Sequence, residues 1–212
     1  EKYLDYKYGD VHSSAILSNP DNIFIGKGSI ISPGCILDAT RGPIIIDNNT
    51  IVDIGALIKG PIYIGCDNII NAGSKLNGSI SLGPHSKIGG ELSNVIFQGY
   101  SNKQHDGFLG NSFIGEWVNI GANTNNSNLK NNYSEVRVEL IPDNYINTMQ
   151  QFIGCYIGDY SRTGISTMIN TGTVIGFGSN IFGSNFQKKY VVPFSWGENG
   201  IVELDKFFET CQ

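Results

Sequence analysis

The stretch "IDNNTIVDIGALIKGPIYIGCDNIINAGSKLNGSISLGPHSKIG", residues 46–89, decides the fold. Every sixth residue is a branched aliphatic: Ile46, Val52, Ile58, Ile64, Ile70, Leu76, Leu82 and Ile88. A period of six is neither the 3.6 of a helix nor the two of a plain strand. It fits a triangular solenoid in which each hexad supplies one short strand and one corner, and three hexads close a coil. The same step runs through Ile25, Ile31 and Leu37, through Ile114 and Ile120, and through Ile157, Thr163, Ile169, Ile175 and Ile181. Four residues after an anchor a small side chain recurs, as at Ser29, Cys35, Thr50, Ala56, Ser74 and Ser86. The residue directly after it is often Gly, expected to lend the corner its backbone freedom. Stacked coils then satisfy each other's backbone groups through parallel ladders.

The step fails in three places. Arg41-Gly42-Pro43 interrupts it once, and loop excursions are expected near 93–107 and 125–152. The organisation read from this is a lead-in over 1–22, a solenoid over 23–183, and an aromatic segment with a capping helix over 184–212. Ile201, Leu204, Phe207, Phe208 and Cys211 fall near helical spacing and are expected to form that helix's apolar face.

Composition narrows the function classes. Of 212 residues 27 are Gly and only 16 % are charged, and the net charge is −5, so nucleic acid is a poor partner. No apolar run reaches membrane-spanning length. The four cysteines lack metal-site spacing; Cys35 and Cys66 read as buried free thiols of a reducing compartment, which places the chain in the cytoplasm. No metal is expected, because the three histidines, His12, His85 and His105, are too irregularly spaced to form a ligand set. The chain opens with Glu and reads as a piece of a longer protein.

The hexad resembles that of hexapeptide-repeat proteins, which implies an all-β, left-handed parallel β-helix with a short C-terminal helical tail. Within it, "QHDGFLGNSFIGEWVNIGANTNNSNL" (104–129) is similar to the acetyltransferase domain of the bifunctional bacterial enzyme that makes UDP-N-acetylglucosamine. There a His, two residues, a Tyr and a Leu-Gly precede "IG-x-x-V-N-I-G-A-G-T" and an Asn-Tyr pair. The fuller run to "LKNNYS", with the later "PFSWG", looks still more like a group of sugar-nucleotidyltransferase-like proteins carrying this domain at their C-terminal end.

The resemblance implies acyl transfer from acetyl-CoA to an amino sugar or sugar phosphate in nucleotide-sugar and cell-envelope metabolism. His105 matches the base that deprotonates the amine, a task suited to imidazole. Asn128 matches an Asn contacting substrate or donor carbonyl and is assigned with His105 to catalysis. Phe108, Asn119, Lys130 and Tyr133 are assigned to the substrate, with Lys130 and Arg137 as candidate phosphate ligands. Ala122 and Ile165 fall on positions near CoA. Three departures stand out: Phe108 and Leu129 replace family tyrosines, and Ser93 or Asn94 stands where a phosphate-binding lysine is found. The resemblance further implies a homotrimer and an N-terminal nucleotidyltransferase domain absent from this chain. A non-catalytic trimerisation and ligand-sensing module stays open as the alternative, as does His105 as a plain loop histidine. Asn123, Asn125 and Asn126 read as turn-ladder residues.

Overall fold

The computed structural model describes residues 9–211. The first eight residues of the expected lead-in, and Gln212, lie outside the described residues. The chain divides into two compact units, residues 1–106 and 107–212.

In the N-terminal unit the hexads form a parallel β-solenoid with three columns of strands. One column stacks Ile23–Ile25, Ile44–Ile46, Ile62–Ile64 and Ile80–Leu82. A second stacks Asp10–Val11, Ile30–Ile31, Ile51–Val52, Ile69–Ile70, Lys87–Ile88 and Asn102–Lys103. The third stacks Ile16–Ser18, Ile36–Asp38, Leu57–Lys59 and Lys75–Asn77. Ile46, Ile64 and Leu82 lie in register, eighteen residues apart, which is three hexads to the coil. All eight anchors of the quoted stretch are buried to 1 % exposure or less. Each contributes on the order of 1.5–3 kcal/mol of burial free energy. The small residues four steps on are buried as well, and their hydroxyls bond backbone across coils, as Ser29 Oγ does to the Asp47 carbonyl and Thr50 Oγ1 to that of Gly65.

Two irregular coils explain the lost steps. Ile25 pairs with Ile46, twenty-one residues on, so Arg41-Gly42-Pro43 is a three-residue addition to one coil. The segment from Ser93, expected as a loop excursion, is instead a short coil. Two residues are lost at Gly89-Gly90, so that Leu76 meets Leu92 sixteen residues on, and a third where the strand Glu91–Gly99, with Asn94 left-handed, passes the Gly78-Ser79 corner to pair with both Lys75–Asn77 and Ile80–Leu82. Leu82 therefore meets Phe97, and Ile88 meets Lys103, each fifteen residues on.

The glycines after the anchors serve a purpose other than the expected one. None of Gly26, Gly65, Gly83, Gly89, Gly115, Gly121, Gly158, Gly164 or Gly176 has positive φ. A Cβ there would strike the next coil; at Gly83 it would sit 1.8 Å from the Gln98 carbonyl oxygen. The left-handed residue is instead three steps after the anchor: Asn49, Gly55, Asp67, Gly73 and His85 in this unit, and Trp117, Asn123, Tyr160, Ser166 and Gly178 in the other.

The C-terminal unit is a second parallel stack. Cys155–Ile157, Thr173–Ile175 and Tyr190–Val191 form one column, and Arg162–Thr163, Asn180–Ile181 and Ser195–Trp196 another. Ile114 pairs with Ile157, forty-three residues on, twenty-five more than a regular coil. The surplus leaves the stack as an antiparallel hairpin of Arg137–Ile141 with Asn144–Asn147. Asn125–Asn126, inside the stretch expected to leave the solenoid, remains a strand paired with Met168–Ile169.

The terminal helix, Leu204–Thr210, is shorter than its apolar spacing suggested. Ile201 belongs to the strand Gly200–Ile201 and is 81 % exposed, and Leu204 and Phe208 also face solvent. Phe207 packs edge-on to Phe194 (5.1 Å) and Tyr160 (5.8 Å), with Phe208 edge-on against it. All four cysteines are free. Cys35 and Cys155 are buried, but Cys66 is half-buried rather than a core thiol, and Cys211 is exposed.

Candidate active site

His105 lies in the N-terminal unit, on the bend after the strand Asn102–Lys103. Its side chain is exposed, while its main chain is tied down. Lys103 Nζ donates to the His105 carbonyl at 2.9 Å and to that of Gly89 at 3.0 Å. Asn71 Nδ2 donates to the Gln104 carbonyl at 2.8 Å. Gly89 completes the seat, since a Cβ there would lie 2.1 Å from the Gln104 carbonyl oxygen. Burial pulls the Lys103 ammonium down to about 8, against the opposing charge of Asp106. His12 and His85 sit apart from this turn: His12 Nδ1 is 2.8 Å from Ser14 Oγ, and His85 stacks on Tyr100 and reaches toward Asp67.

The remaining motif residues lie in the C-terminal unit, in three groups. Phe108 and Asn128 converge over Gly110, whose absent side chain leaves room for the Phe108 ring and the Asn128 amide. Asn128 Nδ2 donates to Asn111 Oδ1 at 2.7 Å. Beneath them Asn126 is buried. Its Oδ1 accepts the Gly110 N–H at 2.8 Å, and its Nδ2 donates to the Gly110 carbonyl at 2.9 Å and Ser112 Oγ at 3.2 Å. Asn125 accepts the Phe108 N–H, and Asn123 bonds Ser166 Oγ of the neighbouring coil. Of the three asparagines expected to form a turn ladder, Asn123 sits at a left-handed corner, whereas Asn125 and Asn126 form a strand paired with Met168 and Ile169 and stack on no asparagine; their amides instead bond Phe108 and Gly110 and so set the Phe108–Asn128 surface.

Asn119, Ala122 and Ile165 form the second group, on stacked coils. Asn119 bridges Arg162, and the Ala122 carbonyl accepts the Ser166 N–H at 2.7 Å. Ile165 beside it is 78 % exposed. Lys130 and Tyr133 form the third, at the start of the excursion. The Tyr133 N–H closes a turn on the Lys130 carbonyl, and its side chain is 66 % exposed. The Lys130 amine folds back onto the Glu135 carbonyl and Ser134. Lys189, half-buried, has its pKa lowered by burial first and by the charge of Lys130 second.

A cavity of about 420 Å³ opens in the C-terminal segment between Phe182, Phe186, Lys188, Tyr190 and Glu198. None of the expected site residues lines it, but Ser195 and Gly197 of the PFSWG stretch do. Among the described residues no group of three or more His, Cys, Asp or Glu could hold a metal ion, and no helix is long and apolar enough to cross a membrane. Sequence reading missed Lys103, Asn111 and Asn126 as supports of the site.

Fold and hexad together define a hexapeptide-repeat β-solenoid. The relatives of the chain carry the acetyltransferase name. It is 36 % identical over 145 residues to the bifunctional sugar-1-phosphate nucleotidylyltransferase/acetyltransferase of Sulfurisphaera tokodaii, spanning 67 % of this chain and 36 % of that protein. It is also 36 % identical over 151 residues to the uncharacterized acetyltransferase YaiX of Escherichia coli K12, spanning 70 % of this chain and 65 % of that one. The chain thus spans less than two thirds of the length of either relative. No family model matches it. Among solved structures, the UDP-N-acetylglucosamine acyltransferase of Francisella novicida aligns over 96 % of this chain and 72 % of its own, at 14 % identity and a TM-score of 0.48, a likeness too distant to bear on function.

Proposed function

We propose that the chain is an acetyl-CoA-dependent acyltransferase acting on an amino sugar or its phosphate, with His105 as the general base. The observation that carries this reading is an exposed imidazole presented from a tied-down turn, in a chain whose relatives are named acetyltransferases. The neutral amine attacks the thioester carbonyl carbon; a C–N bond forms and the C–S bond breaks. The amine proton passes to the imidazole and the coenzyme leaves as thiolate. A base titrating near neutrality suits that transfer, since the protonated amine has no lone pair to offer. Asn128, by its match to the related motif, is assigned to the substrate or donor carbonyl. Ala122 and Ile165 are assigned to the coenzyme, and Asn119, Lys130, Tyr133 and Phe108 to the acceptor. Phe108 brings a hydrophobic ring where a hydroxyl would contact a phosphate, so the acceptor differs there from glucosamine 1-phosphate.

The working form is proposed to be a homotrimer. Supporting it, Ile16, Ile36 and Leu57 stack in register along the outside of the N-terminal unit, each more than a third exposed. Light scattering tests this directly. The competing reading, a non-catalytic ligand-sensing module, draws support from Phe108 and Leu129 standing where the related enzymes carry tyrosines. Calorimetric titration with acetyl-CoA, followed by transfer assays on a panel of amino-sugar phosphates with His105→Ala alongside, separates the two. Binding and His105-dependent turnover support the enzyme, and binding without turnover supports the module.

A further inference from the structure

The repeat puts an aliphatic at every inward anchor of the second strand column, until the last one. Val11, Ile31, Val52, Ile70 and Ile88 are followed in register by Lys103. The lysine is 1 % exposed. Burying an ammonium is costly unless its protons find acceptors, so an isoleucine would serve the core better. What the lysine does that an isoleucine cannot is donate. One hydrogen bond goes to Gly89, on the coil below, and the other to the carbonyl of His105, two residues ahead. The ammonium thus bridges the fixed coil and the turn that carries the imidazole. Asn71, from the coil below that, holds the adjacent Gln104 carbonyl, and the bare Gly89 lets the turn lie flat on the stack.

We infer that Lys103 is a positioning residue, whose buried amine clamps the His105 main chain to the coil beneath it so that the imidazole is presented from a rigid turn. The inference rests on the assignment of His105 as base. Loss of the clamp lets the turn move while the core survives, because an unbranched apolar side chain of similar length fills the anchor position.

The test is Lys103→Met, read three ways. Backbone 15N order parameters at Gln104, His105 and Asp106 are expected to fall, while those of Ile64 and Ile70 stay unchanged. The kcat for acetyl transfer falls, on the order of tenfold to a hundredfold for a displaced base, with KM for acetyl-CoA unchanged. In the wild type, the carbonyl 13C resonances of Gly89 and His105 move together as the Lys103 side chain titrates. Asp106, and the His105 ring itself, are the titrating neighbours whose own transitions must be separated from it. Unchanged order parameters at the turn, or a loss confined to KM, overturn the inference. If the variant does not fold, the wild-type resonances decide alone, and carbonyls that do not follow Lys103 overturn it. Absence of acetyl transfer by the wild type overturns the acetyltransferase reading instead, and the order-parameter comparison then still decides whether Lys103 holds the turn.

Discussion

Replacing Gly83 by Ala and, separately, Gly55 by Ala separates two reasons for a glycine. At Gly83 φ is not positive, so the backbone tolerates a side chain, but the new Cβ would lie 1.8 Å from the Gln98 oxygen and 2.4 Å from its carbon. To reach ordinary van der Waals contact the coils must part by about 1.5 Å. That breaks the bond from the Gly83 N–H to the Phe97 carbonyl, now 2.8 Å. A lost backbone bond costs about 1 kcal/mol, and overpacking between elements a further ~1–3 kcal/mol. At Gly55 the reverse holds: φ is +69° and a Cβ would meet nothing within 4 Å. The left-handed conformation then costs about 1 kcal/mol and no more. Urea unfolding followed by circular dichroism gives both values. The two tryptophans are unsuitable probes here, since Trp117 and Trp196 both belong to the C-terminal unit. Gly83→Ala is expected to lose the more stability, by about 2 kcal/mol. If Gly55→Ala costs as much or more, the steric account of the post-anchor glycines is wrong.

Other outcomes follow from single sites. Lys103 titrates near 8 in the fold and near 10.5 when free, so between these values the unfolded chain binds the extra proton and wild-type stability rises with pH. The stability of wild type minus that of Lys103→Met is expected to grow by roughly 2 kcal/mol between about pH 7.5 and pH 10 in paired urea titrations, and a flat difference contradicts the buried charge. Asn126→Ala leaves the buried Gly110 N–H without its acceptor and is expected to cost about 2 kcal/mol, against about 1 kcal/mol for the exposed Asn123→Ala, whose cost is the left-handed corner it occupies, by thermal melting. Thiol labelling under native conditions should modify Cys211 first and Cys66 next. Cys155, which burial pushes up to about 12, and Cys35, also raised by burial, should react only on unfolding.

The core was legible because a solenoid repeats one contact. An inward aliphatic every sixth residue has a single geometric solution, and Ile46 through Ile88 sit where the count puts them. Coil length was not legible, because it depends on register. Counting on from Ile88 places Asn94 and Tyr100 at the next anchors. Both instead have positive φ, since the coil loses two residues at Gly89-Gly90 and one at Asn94, which moves the anchors to Leu92, Phe97 and Lys103. That same shift concealed Lys103 as a core residue. The left-handed corner was hidden because its occupants vary from Gly and Asn to His85, Trp117 and Tyr160, and no residue type marks it. The motif fixed which side chains to examine near His105 and Asn128. Their supports, Asn111, Asn126 and Lys103, could not be read, because each acts across coils fourteen to seventeen residues apart.

The measurement that bears most directly on the proposed function is release of coenzyme A thiol from acetyl-CoA in the presence of amino-sugar phosphates, with wild type and His105→Ala at equal, verified acetyl-CoA occupancy. The account predicts acceptor-dependent release by the wild type and a fall of about a hundredfold or more in the variant, with acetyl-CoA binding retained. Equal release by the two proteins would contradict His105 as the base. Failure of the folded wild type to bind acetyl-CoA at all would contradict the acyltransferase itself.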